Sequence, residues 1–520
     1  MSSLALPREA PRRRSWGPAL RALIADHAYE IVLATPLAVL AAVLLVQLPQ
    51  AFSVDSWLAL VAGRTVWQSG LPHNETLTVL AHGASWIDQQ WLSQLATYGL
   101  YALGGLALLG IVNVGLLAGG VAFATFASRR LGATFLSPLV ALPVCLAMIT
   151  PWREVRTQQF VIPLFMLVAY LLARDSRAPS RRVFWCLPIL VLWANLHGTV
   201  TMGAGLVALR GLVVLGERRA ELLRDPRAWV RPLLLIAGAG AAILLTPYGL
   251  SMVGYYRETM LSSTLRQTVT EWQPVFSRPI TAIGVFGALG LGLWSTWRAR
   301  HLTSAWEKLA FLVLAIGAVS VVRNAVFFGL FALMVLPVSL GWGSRRAAAT
   351  AAAARTGETT ARGNRTRFNG IILAVGVGAL ILGLAVAVAR PDARIEYAFQ
   401  RPGVLTAVER AVASNPSLRI MPDERFTDWL LWRDPALAGR VAYDVRFELL
   451  SPSRLFALTS LFSHRGADWK QAAHGFRLMV LSRQYDPQAF VAFRAEPGAR
   501  VLYNDGQRMV LLRSAAEAAR

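Results

Sequence analysis

Eleven stretches of this chain are apolar over most of the length needed to cross a lipid bilayer, and short arginine-bearing segments separate them. They are 31–46, 105–127, 132–150, 158–173, 183–195, 200–216, 232–247, 280–297, 309–322, 325–342 and 369–389. A helix that crosses the hydrocarbon needs about 20 mostly apolar residues. A chain with this pattern cannot fold as one soluble globule. The pattern predicts a polytopic α-helical membrane protein with about eleven transmembrane helices. Charged residues make up 16% of the 520 residues, where soluble domains carry about a quarter. With 55% hydrophobic residues, disorder is excluded as well. A net charge of +23 could suggest a nucleic-acid partner. Much of the excess, however, lies in short loops, where it orients helices, so no nucleic-acid partner is expected.

Loop charge sets the expected topology. The run Ile31–Val46 follows Arg8, Arg12, Arg13, Arg14 and Arg21, and no small-x-small cleavage site follows it. It reads as an uncleaved first span with a cytoplasmic N-terminal segment, 1–29. Alternation then puts 26 Lys/Arg in cytoplasmic segments and 7 in the opposite loops, as the positive-inside bias requires. The expected organisation is a membrane core over 30–342 with a large first outer loop, 51–104. A cytoplasmic linker, 343–368, a last span, 369–389, and an extracytoplasmic domain, 390–520, complete it. Such a protein is expected in the plasma (inner) membrane.

The linker, GSRRAAATAAAARTGETTARGNRTR over 343–367, lacks large apolar residues and is expected to be disordered. In the tail, 418–422, 439–444, 477–482, 500–504 and 508–513 read as short strands. Helical segments at 424–432, 453–462 and 485–493 alternate with them. That alternation predicts a small α/β domain closed by a final hairpin. No glycine-rich phosphate loop follows any of these strands. Cys145 and Cys186 both lie in apolar runs, which argues against a disulfide framework or a thiolate metal site.

The first outer loop is dense in polar groups. Residues 54–68 carry apolar residues at helical spacing with Asp55 near the start. This predicts an amphipathic helix along the membrane surface, with its N-terminal end stabilising Asp55 as a carboxylate. Asp55 is thus either a helix cap or a catalytic acid.

The chain resembles the GT-C class of integral-membrane glycosyltransferases, and within it a bacterial branch with a C-terminal extracytoplasmic α/β domain. The resembling residues are Asp55-Ser-Trp57-Leu58 with Gly63-Arg64 and Trp67; Gly70-Leu-Pro72 with Glu75; Trp86-Ile-Asp88 with Trp91-Leu92; Arg156-Thr-Gln158-Gln-Phe160; Trp193-Ala-Asn195-Leu-His197-Gly198; and Pro247-Tyr-Gly249. Asp444-Val-Arg446-Phe447-Glu448 extends it into the tail. The resemblance implies a GT-C-like core and the transfer of a sugar from a polyprenyl-phosphate donor to a glycan, lipid or protein acceptor. It also implies a catalytic base at Asp55. The chain departs from the pattern at Val54 and at Gln89-Gln90, where acidic residues often stand. These departures leave a divalent metal open but unsupported, with Asp88 as a substitute acid.

The residues fit that chemistry on physical grounds. Sugar nucleotides are cytoplasmic polyanions, so a reaction on the outer face needs a sugar carried on lipid. The reaction requires a base for the acceptor hydroxyl and a cation for the leaving phosphate. Arg153, Arg156 and Arg323 lie at outer ends of spans and can hold phosphate, or anchor the membrane interface with Glu154 as partner. Glu75, Gln158, His197, Trp57, Trp91 and Glu271 complete the candidate substrate-binding set. Against them stand a solvated Glu75, a packed His197 and an ordinary tryptophan belt. A non-enzymatic transporter or flippase of lipid-linked glycans is an alternative, but transporters usually carry internal repeats and none is evident. A pseudoenzyme assembly subunit is the third reading.

Overall fold

The computed structural model describes residues 27–341, 360–398 and 400–519. Helices occupy all eleven apolar positions: α1 (Ala28–Val46), α3 (Trp91–Arg130), α4 (Ser137–Ile149), α5 (Ile162–Arg177), α6 (Cys186–Leu196), α7 (Val200–Glu217), α8 (Val230–Leu244), α9 (Pro279–Ala299), α10 (Ala305–Ser320), α11 (Ala325–Leu340) and α12 (Thr360–Val388). α2 (Val54–Ser69) lies in the first loop. Among the described residues, eight helical stretches are long and apolar enough to cross a membrane. The regions of α4, α6 and α10 fall outside that set, so length does not establish the expected eleven spans. The chain is a multi-pass membrane protein.

α11 is apolar on every side, so no face of it seeks water and it sits at the centre of the bundle. All its residues from Ala325 to Ser339 are buried. Gly329 lets α4 approach closely, since a Cβ there would stand 3.0 Å from the Met148 Cβ. α12 lies on α1, with Gly383 against Ala42 and Gly376 against Thr35, the small-residue contact by which apolar helices pack in lipid. α3 is two helices joined at a kink. Gly104 and Gly105 leave helical geometry, with φ +66° at Gly105. The Leu106 N–H freed there donates to Asp392 Oδ1 at 3.0 Å. A carboxylate from beyond α12 thereby caps the second half of α3.

The bundle has two distinct ends. At one, Arg177 pairs with Glu307 at 2.9 Å and donates to the Leu131 carbonyl at 2.5 Å. There Asp175 binds Arg210 at 3.0 Å and also Arg231, and Tyr29 packs against Phe135 with the rings tilted. The arginine-rich loops after α3, α5, α7 and α9 therefore share one end. The first loop and the tail meet at the other.

In the tail, β1 (Ile420–Pro422), β2 (Leu478–Ser482), β3 (Arg500–Asn504) and β4 (Arg508–Leu512) form one sheet in the order β1-β2-β4-β3. β1 and β2 are parallel, and β3 and β4 form the expected antiparallel hairpin. Helices α13 (Pro402–Ser414), α14 (Glu424–Arg433), α15 (Pro452–Ser463) and α16 (Pro487–Arg494) surround it. Two tail expectations need correction. Residues 439–444 form no strand, because Val441 is shared as a single bridge between Ile420 and Thr78 of the first loop. Residues 402–414, not singled out in the sequence, are helical. Most of the expected linker, 342–359, lies outside the described residues. Residues 360–368, also assigned to it, belong to α12.

Candidate active site

α2 is not an exposed helix. Residues Ser56 to Gly63 are buried, because α3 and α14 both pack against it. Gly63 permits the contact with α3, since a Cβ there would come within 2.1 Å of the Gln94 carbonyl oxygen. At the start of α2 the Ser53 N–H donates to Ser56 Oγ at 3.0 Å, and that hydroxyl donates to the Val155 carbonyl at 2.6 Å. The Val155 N–H donates to the Ala51 carbonyl at 2.8 Å. These bonds fix the segment Glu154–Arg156 beside Asp55.

The result is one guanidinium shared among three carboxylates. Arg156 lies 2.5 Å from Glu154, 2.5 Å from Glu271 and 3.1 Å from Asp55. The Glu154 partnership anticipated from sequence is present. All four side chains line a cavity of about 830 Å3, together with Gln158, His197, Arg278, Arg323 and residues of the tail. Arg323 packs over the Trp272 ring at 5.0 Å. Among the described residues it has no carboxylate within ion-pair distance.

The acids differ in electrostatic state. Burial raises the Asp55 carboxyl above the ordinary range; Arg156 opposes this, and the charges of Glu271 and Glu154 reinforce it. Burial acts the same way on Glu271, but Arg156, Arg323 and Arg278 outweigh it, and Glu271 ends below the ordinary range. Glu271 and Glu154 therefore take the shorter share of Arg156, and Asp55 keeps its basicity. His197 is pushed down to about 3 by burial, with Arg323 and Arg156 adding to the effect. It is neutral at physiological pH. Its Nδ1 accepts from the Thr199 N–H at 3.1 Å.

Five sequence-derived site residues lie elsewhere. Glu75 is fully buried; its Oε1 accepts from the Leu77 and Thr78 N–H groups, and its Oε2 pairs with Arg446 at 2.5 Å. Asp88 is 2% exposed and does not line the cavity, so it is not placed to act as the substitute acid. Burial raises its carboxyl to about 7, opposed by Arg446. Of these two acids, Glu75 joins the first loop to the tail. Trp57 is buried beside Phe52, and Trp91 gives its indole N–H to Asn195 at 3.1 Å. Arg153 does not line the cavity, and its carbonyl accepts from Asn113.

Arg446 and Glu448, quoted from the sequence for the resemblance, also line the cavity, whereas Asp423, Glu424, Arg425 and Asp486 were not read from the sequence. A signal for the latter group exists. Asp423-Glu424 follows β1 and Asp486 follows β2, and ligand-binding groups in α/β sheets gather beyond the C-terminal ends of parallel strands.

A divalent metal does not fit these residues. Among the described residues no group of three or more His, Cys, Asp or Glu side chains is arranged to hold one. The three carboxylates at 55, 154 and 271 converge on the Arg156 guanidinium.

No family model matches the sequence, and no curated protein matches it. Solved structures do. ArnT from Cupriavidus metallidurans in the apo state superposes with a TM-score of 0.50 at 15% identity, over 97% of this chain and 100% of that one. The Archaeoglobus fulgidus oligosaccharyltransferase tethered with an acceptor peptide gives 0.50 at 11% identity, over 95% of this chain and 75% of that one. ArnT bound to undecaprenyl phosphate gives 0.48 at 13% identity, over 94% and 99%. On the two superpositions at 0.50 the chain has the GT-C fold of membrane glycosyltransferases, with a small α/β domain at its C-terminus.

Proposed function

We propose that this protein transfers a sugar from a polyprenyl-phosphate carrier to an acceptor on the outer face of the membrane. The observation that carries the reading is that Asp55, its carboxyl raised, and Arg323, without an ion-pair partner among the described residues, line the same cavity. A glycosyl transfer from phosphate needs those two groups. Asp55 takes the proton of the acceptor hydroxyl as its oxygen attacks the anomeric carbon. The bond from that carbon to the phosphate oxygen breaks, and its electrons remain on the phosphate. Arg323 receives the growing charge, while Arg156 holds Asp55 in position. A single displacement of this kind inverts the anomeric centre.

The side of the membrane follows from loop charge. The arginine-rich loops gather at the end away from the cavity, so the positive-inside bias puts the cavity outside. The N-terminus is then cytoplasmic and the tail extracytoplasmic. Sugar nucleotides do not reach that side unaided, which leaves a lipid-carried sugar as the donor.

The test is to incubate the purified full chain with individual polyprenyl-phosphate sugars and follow release of polyprenyl phosphate. Release with at least one donor is expected. Translocation of the lipid across vesicles without any sugar release would replace this reading with a flippase.

A further inference from the structure

α2 and α14 pack side by side; they meet at Arg64 near their C-terminal ends, and their first turns both line the cavity, so they run in the same direction. Arg64 of α2 donates to the Leu431 and Trp432 carbonyls of α14 at 2.8 and 2.9 Å and lies 4.8 Å from the Trp432 ring. Asp55 stands nine residues before Arg64, and Glu424 seven residues before Leu431. At 1.5 Å per residue those distances are about 13 and 11 Å along their helices. Both acids therefore sit in the first turn of parallel helices that reach the same level, at the cavity. Asp423 fixes the start of α14 by accepting from the Arg425 N–H at 2.8 Å.

Glu424 differs from the other acids there. Asp55, Glu154 and Glu271 all touch Arg156. Among the described residues the Glu424 side chain has no hydrogen bond or ion pair, and it opens on the cavity. Its own neighbour Arg425 is turned over the Tyr485 ring, 3.7 Å away.

We propose that Glu424 is a second catalytic carboxylate, supplied by the tail, that faces the reacting sugar and stabilises the positive charge its ring develops. This rests on the transfer reaction proposed above. The bond from the anomeric carbon to the phosphate oxygen breaks with its electrons staying on phosphate, and the acceptor proton goes to Asp55. Glu424 neither gains nor loses a proton. Glycosyl transfer commonly passes through an oxocarbenium-like state, and a paired carboxylate at such a site serves it by charge. An unpaired carboxylate does this better than one neutralised by a guanidinium.

The charge state of Glu424 supplies the readout. Burial raises its carboxyl to about 7; Asp423, Asp55 and Glu271 push the same way, and Arg425 opposes them. Behind it Asp486 is raised to about 10 by burial and by Asp423. Glu424 is thus charged above about pH 7 and neutral below it, so sugar transfer should fall as pH drops through 7.

The experiment measures polyprenyl-phosphate release over pH 5.5 to 8.5 by wild type, Glu424→Gln and Glu424→Asp, with undecaprenyl-phosphate binding measured alongside. Glu424→Gln is expected to bind the lipid as wild type does, lose roughly a hundredfold in kcat, and move the acidic limb away from 7, leaving the limb set by the raised Asp55 carboxyl. Glu424→Asp should keep the limb near 7 at a reduced rate. If Glu424→Gln also loses the lipid, Glu424→Asp decides: a retained limb near 7 supports the role, and a profile without it overturns the role. A wild-type rate and pH profile in Glu424→Gln overturns the role of Glu424 alone. Absence of turnover in wild type overturns it together with the transfer reaction.

Discussion

Arg446 of the tail and Glu75 of the first loop meet at 2.5 Å, both buried, with the guanidinium 4.1 Å from the Trp86 ring centre. The two residues stand 371 positions apart, and their pairing closes the first loop and the tail around the cavity. Arg446 also binds Asp444. Removing one partner of a buried pair leaves the other charge uncompensated, at a cost of about 3–5 kcal/mol. Arg446→Met should therefore lower Tm in detergent and open the tail to limited proteolysis. An unchanged Tm and cleavage pattern would show that the pair does not hold the tail.

Asp88, which feels the Arg446 charge without pairing with it, makes stability sensitive to pH. Its folded-state value of about 7 lies above the value near 3.9 of a free aspartate. The folded state therefore binds the proton more tightly than the unfolded chain. The stability this confers is complete below about pH 4 and is lost as pH rises through 7. Burial also raises Glu75 and Asp428 in the same network, so they act with the same sign. Asp88→Asn should show a smaller fall in Tm from pH 5 to pH 8 than wild type. A steeper fall in the variant would contradict the assignment.

Gly63 holds α2 against α3. A methyl group there would stand 2.1 Å from the Gln94 carbonyl oxygen and 2.8 Å from the Tyr98 Cβ, and backbone cannot step aside cheaply. Gly63→Ala should cost about 1–3 kcal/mol and shift Asp55 away from Arg156. Thermal unfolding measures the first effect and loss of turnover the second. Wild-type values for both would mean that α2 is not positioned by this contact.

Arg323 carries the phosphate in this account. One charged hydrogen-bond partner contributes about 2 kcal/mol, so Arg323→Gln should weaken undecaprenyl-phosphate binding roughly thirtyfold, while Arg153→Gln leaves it unchanged. Equal losses in the two variants would remove the distinction drawn from the cavity.

Much of the fold can be read in the sequence because lipid restricts a spanning chain to helices, and apolar runs betray them. Asp55, Arg156 and Glu271 were accessible too. Each is a charged group at or beside a helix end, and Arg156 contacts both acids directly. The roles of Glu75 and Asp88 were not accessible. Arg446, which pairs with Glu75 and opposes the shift of Asp88, lies in another part of the chain, and a buried acid in a loop looks like a solvated one until such a cation is placed. The same reason hid the burial of α2. Its polar face reads as solvent-facing, yet α14 covers the helix. The strand expected at 439–444 failed because its pattern fits pairing, while the chain spends that edge on bridges to Ile420 and Thr78.

The central claim is that Asp55 removes the acceptor proton in a sugar transfer from lipid phosphate. The direct measurement is the rate of polyprenyl-phosphate release from a polyprenyl-phosphate sugar by wild type and by Asp55→Asn, both shown to bind undecaprenyl phosphate. The account predicts a loss of about 10²- to 10⁴-fold in the variant with lipid binding retained. Equal rates in the two proteins would contradict it.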